Sequence, residues 1–102
     1  MMTKRRLSVE HVFRDHCVVH NDTLNPVRLH VSSDALKELS GFVEAYRTCL
    51  PNNRFYNGDK ERLVCDLARH SVRQCIMAGR RTVMENDVIL ANAFIKLEEY
   101  YG

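Results

Sequence analysis

The stretch from Lys60 to Leu97 constrains this chain more than any other, because it reads as two helices joined by a tight basic turn. Leu63, Val64, Leu67, Ala68, Val72, Cys75 and Ile76 recur at spacings of three and four, which lines one face of a helix. Arg62, Asp66, Arg69 and Arg73 take the opposite side. Gly79 ends the run, since glycine enters the left-handed conformation without a steric penalty. Arg80, Arg81, Thr82 and Val83 form the turn. Glu85, Asn86 and Asp87 then supply the acidic and polar first turn that a helix N-terminus favours. The second helix, with Val88, Ile89, Leu90, Ala91, Ala93, Phe94, Ile95 and Leu97, is apolar on nearly every side. Such a helix cannot stay half-solvated, so the expectation is cover from its own domain and from a second protein.

A chain of 102 residues supports one modest core. Its 45% hydrophobic and 27% charged residues are ordinary for a globular protein, which argues against disordered and fibrous classes. No apolar run is long enough to span a bilayer, and none of signal-peptide type follows the basic residues Lys4, Arg5 and Arg6, so an intracellular, membrane-free protein is expected. Cys17, Cys49, Cys65 and Cys75 include no Cys-x-x-Cys pair, and the default for them is reduced thiols. A net charge of +2 permits a local nucleic-acid patch without arguing for one.

Residues 1–30 read as a basic tail, a short helix and a linker, and residues 31–102 as the main domain. Ser8 is placed to cap a helix through Cys17, with Val9, Val12, Phe13 and Cys17 on one side. His11, His16, Cys17 and His20 invite a zinc site, but they lack the paired spacing of two ligand knuckles, so no metal is expected. Asn21, Asp22, Asn25 and Pro26 make a turn-forming linker, followed by the alternating, extended Val27, Leu29 and Val31. Ser32 or Ser33 then caps a helix from about Asp34 to Leu50, its stripe formed by Leu36, Leu39, Val43, Tyr46 and Leu50. Pro51, Asn52 and Asn53 stop it. Phe55 and Tyr56, flanked by Arg54 and Lys60, either plug the gap between helices or stack on a partner.

Chemistry is conspicuous by omission. The chain has no G-x-x-x-x-G-K phosphate loop, no G-x-G-x-x-G, no G-x-S-x-G and no H-E-x-x-H, and its neighbouring carboxylates fall on solvent faces. The expectation is therefore a binding or assembly module: no enzyme, no cofactor, no small-molecule substrate.

The run from Gly79 through Arg80, Arg81, Thr82, Val83, Met84, Glu85, Asn86 and Asp87 to Val88, followed by Leu90 and Ala91, resembles the end of the histone fold. The ending is similar to nuclear factor Y and kinetochore subunits, and Ser71 to Gly79 is similar to a histone-fold subunit of TFIID. The resemblance implies an all-α fold, a histone-fold-like helix-turn-helix-turn-helix core with an extra short N-terminal helix. It implies a clamp between Arg80 and Asp87, with Arg81 left to face DNA. It further implies a nuclear subunit that pairs with another histone-fold protein through Leu63, Leu67, Val72, Ile76, Val88, Phe94 and Leu97. Phosphate contacts to double-stranded DNA would come from Arg80, Arg81, Arg54 and Lys60.

A second resemblance covers Val31 to Val88. The C-terminal helical lid of AAA+ ATPases is similar in its order of a Val-Ser-Ser-Asp-like helix start, a long helix and a loop, a helix ending in Gly-Arg, and then Val-x-x-x-Asp-Val. Gly58, Asp59 and Arg62 resemble the lids of initiator and clamp-loader types. Only about 20 residues lie between Gly58 and Gly79, fewer than the central helix of a histone fold uses, and these lengths suit the lid better. That resemblance implies a lid-like adaptor or regulator of an ATPase machine.

Overall fold

The structure is a computed structural model that describes residues 8–20, 26–47 and 59–101. Within them the order is α1 (Val9–His16), β1 (Val18–Val19), β2 (Val27–Arg28), β3 (His30–Val31), α2 (Ser33–Arg47), α3 (Lys60–Met77), β4 (Thr82–Val83) and α4 (Glu85–Tyr101). The domain is mostly helical, as expected, but the all-α description needs correcting for these short strands. They arise because the extended residues around Leu29 find two partners in succession.

Ser8 starts α1 by accepting a hydrogen bond from the His11 backbone N–H at 3.1 Å. Val12 and Phe13 then turn inward, and Cys17 closes the helix, buried as well. The chain leaves in β1, returns as antiparallel β2 with Val18 opposite Arg28, and donates from Leu29 N–H to the Cys17 carbonyl at 2.9 Å. That bond points the Leu29 side chain into the core.

β3 runs parallel to β4, pairing His30 with Thr82 and Val31 with Val83. His30 N–H donates to the Arg81 carbonyl at 3.2 Å and Ser32 N–H to the Val83 carbonyl at 3.0 Å. Parallel pairing needs a long crossover. Here α2, residues 48–59 and α3 are that crossover, so one chain closes the pair by itself.

Ser32 also caps α2, its Oγ accepting from Ala35 N–H at 3.0 Å, so one residue ends a strand and begins a helix. Ala35, Leu39, Val43 and Tyr46 form the buried stripe, while Leu50 lies outside the described residues. Asp59 caps α3 by accepting from Arg62 N–H at 3.0 Å, and Leu63, Val64, Leu67, Ala68, Ser71 and Cys75 face inward. Val12, Phe13, Cys17 and Leu29 belong to the same core as these helices, so residues before 31 share in one hydrophobic unit.

The end of α3 follows from Gly79, which sits at φ 71°. Arg80 N–H reaches back to the Cys75 carbonyl and Gly79 N–H to the Ile76 carbonyl, the two bonds of a Schellman turn. A Cβ at position 79 would meet nothing within 4 Å, so the cost of Gly79→Ala is conformational alone. We expect it to destabilise the domain by about 1 kcal/mol in thermal or urea unfolding. A neutral result would show that the turn relaxes out of the left-handed region.

Candidate interaction surface

The turn between α3 and α4 is held by one side-chain fork. Arg80 donates from Nη1 to Asp87 Oδ2 at 2.7 Å and from Nη2 to Asp87 Oδ1 at 2.8 Å, with a further bond from Nη1 to the Thr82 carbonyl at 3.1 Å. Asp87 is 1% exposed, and its Oδ2 also accepts from Met84 N–H at 2.8 Å. One carboxylate thus satisfies both the guanidinium and an N–H at the start of α4 that has no helical carbonyl to reach. The bond to Asp87 raises the Arg80 pKa above its ordinary value, so the cation persists throughout the accessible pH range. Beneath the turn, the Cys75 thiol donates to the Arg80 and Thr82 carbonyls, and burial raises its pKa. Burial pushes Cys17 up to about 12. Cys17, Cys65 and Cys75 are free thiols, and Cys49 lies outside the described residues.

The fork fixes how α4 presents its faces. Val88, Ala91, Asn92 and Ile95 point inward with Asp87. The opposite side carries Leu90, Phe94 and Leu97 at spacings of four and three, with Ile89 beside them, all exposed. Leu97 is 53% exposed. The His70 ring of α3 stacks on Phe94 with centroids 5.9 Å apart and an interplanar angle of 12°, and His70 Nε2 lies 3.7 Å from Glu98 Oε1. His70, Arg73 and Met77 follow one another along α3 at spacings of three and four, so Met77, 75% exposed, extends the apolar surface towards the turn. Met84 and Ile76 are also exposed near that end.

No family model, curated protein or solved structure matches this chain. Its surface must therefore be read from its own geometry.

The residues singled out for a partner divide sharply. Leu63, Leu67 and Val88 lie wholly inside the chain's own core, and Val72 packs against it. In this chain α1, α2 and α4 pack on α3 and cover them. Ile76, Phe94 and Leu97 remain on the surface. Met77, Met84, Ile89 and Leu90 join them, although the partner reading from sequence had not picked them out. For α4 the signal was present: a helix with apolar residues all round must leave some outside when only one face meets a core.

Of the residues singled out for DNA, Arg80 and Arg81 lie just beyond one end of α3 and Lys60 at its other end. Arg80 spends its donors on Asp87 and Thr82, whereas Arg81 is exposed. Lys60 begins α3, an 18-residue helix that places it roughly 27 Å from the Arg81 end. Arg54 lies outside the described residues, as do Phe55 and Tyr56. No group of three or more metal-ligating side chains occurs among the described residues. His16 makes a different contact: its Nε2 is 3.4 Å from Cys65 Sγ, while Nδ1 lies 2.9 Å from the Val12 carbonyl. No helix among the described residues is long and apolar enough to cross a membrane.

Proposed function

We propose that this chain is a non-enzymatic docking domain built on the plan of an AAA+ ATPase lid, acting as an adaptor or regulator within an ATPase machine. The observation that carries this reading is the parallel β3–β4 pair closed within one chain. A strand before α2 and a strand before α4 meet only because α2 and α3 fold back on each other. At 18 residues, α3 is also shorter than the central helix of a histone fold, which suits the lid plan. Closure buries Leu63, Leu67 and Val88 without help from a second chain, which leaves the outer face of α4 for docking.

A histone-fold subunit that pairs with another such protein in the nucleus and touches DNA is the second reading. The Arg80–Asp87 fork favours it, since that clamp is what the resemblance implies at those two positions. DNA contact would then rest on Arg81 and Lys60.

The two readings separate on solution mass and crosslinking. The lid-like domain is expected to be a folded monomer with one sharp thermal transition, and a photo-crosslinker at position 94 is expected to capture an ATPase subunit. Aggregation of the lone chain, rescue by a histone-fold partner, and a duplex-binding salt slope that falls on Arg81→Ala would transfer the assignment to the second reading.

A further inference from the structure

We infer that Ser8 is a phosphorylation site for an arginine-directed serine kinase, and that the phosphate stabilises α1. The chain reads Arg5-Arg6-Leu7-Ser8-Val9. Arginines three and two positions before a serine offer two guanidinium forks to acidic pockets of a kinase, and an apolar residue after it suits an apolar one. Ser8 is the only serine or threonine of this chain with arginine at both positions. Arg5 and Arg6 lie outside the described residues, whereas Ser8 lies within them.

Ser8 is exposed, and its backbone is extended, at φ −65° and ψ 152°. Its Oγ accepts from His11 N–H at 3.1 Å, and its own proton has no acceptor among the described residues. In the transfer that proton goes to the carboxylate base of the kinase and Ser8 Oγ bonds to the γ-phosphorus of ATP. The bond from that phosphorus to the β,γ-bridging oxygen breaks as ADP leaves. Val9 begins α1 and packs partly against the core, so the first turn must open for a kinase to reach past Ser8. An eight-residue helix is marginal by itself, and its end opens at little cost. The product then reinforces the helix. A phosphoserine carries a charge of about −1.5 to −2 and three acceptor oxygens, and a helix N-terminus favours an anion through its unpaired N–H groups and its dipole. The acidic residue of the first turn, Glu10, is already matched by Arg14 at 3.1 Å. Because α1 packs on α3, a firmer α1 is felt by the whole domain.

The test incubates the full chain with Mg-ATP and the catalytic subunit of cyclic-AMP-dependent protein kinase, and reads intact mass and fragment spectra. One phosphate is expected, on Ser8. Arg5→Ala with Arg6→Ala keeps the Ser8 cap and is expected to slow incorporation at least about tenfold. Ser8→Ala should abolish it, with a thermal melt showing the variant folded. The phosphorylated chain should melt about 3 °C above the unmodified one, and that gain should shrink at high salt. Failure to modify the folded chain overturns the inference, as does phosphate on another residue in place of Ser8, or an unchanged rate in the double arginine variant. A melting temperature that is unchanged or lower after phosphorylation overturns the stabilising role of the phosphate.

Discussion

Replacing Arg80 with alanine is expected to lower the melting temperature by about 10 °C or more, and Asp87→Asn in the same chain should restore part of that loss. The reasoning starts from burial. The Asp87 side chain is 1% exposed and that of Arg80 is 35% exposed. Removing the cation strands a carboxylate that water cannot reach, and a buried charge left unpaired is strongly destabilising. The partial solvation of Arg80 moderates the expected loss. Asparagine at position 87 removes the charge but keeps an oxygen for Met84 N–H, so the start of α4 remains capped. The single variant should thus be less stable than the double. If the double variant is the weaker one, the carboxylate contributes more through its cap and its shape than through its charge. The outcome also bears on docking, because the fork sets the angle at which α4 leaves the turn.

Much of this was legible in the sequence where local chemistry decides the outcome. Ser8, Gly79 and the acidic turn from Glu85 to Asp87 act over four residues or fewer, and each sits where its spacing implies. The inward face of α3 follows from its repeat, since Leu63, Val64, Leu67, Ala68 and Cys75 are all buried. The β3–β4 pair was not legible. His30 and Thr82 are 52 positions apart, and two residues of extended chain carry no periodicity that names a distant partner. The choice of outer face on α4 was hidden for a related reason. A helix that is apolar all round has no polar side to mark solvent, so packing chose between Val88 and Ile89, or between Ile95 and Phe94. Buried Ser71 and Asn92 show the same limit: Ser71 Oγ and Asn92 Oδ1 have no hydrogen-bond partner among the described residues, and sequence spacing gave no reason to expect polar atoms inside.

Phe13→Ala is expected to be the most damaging single change in the core, costing about 3–5 kcal/mol. Phe13 is fully buried, although it belongs to an eight-residue helix that would be marginal on its own. Its side chain belongs to the same core as Leu29, Leu39, Leu63 and Leu67, so truncation opens a cavity in the core that α1 shares with α2 and α3. A domain of this size has only about 5–15 kcal/mol in hand, and one substitution would consume much of it. Urea unfolding is the direct check: the midpoint should fall steeply while the slope stays constant, because the same surface is still exposed in one cooperative step. Met77→Ala is the matched control, expected within about 0.5 kcal/mol of the parent because its side chain already faces water. A loss below about 1 kcal/mol at Phe13, or a separate early transition, would mean that α1 is an appendage rather than part of the core. That distinction bears on the proposed docking role, since the outer face of α4 is only as rigid as the core behind it, and α1 packs on α3, which in turn packs on α4.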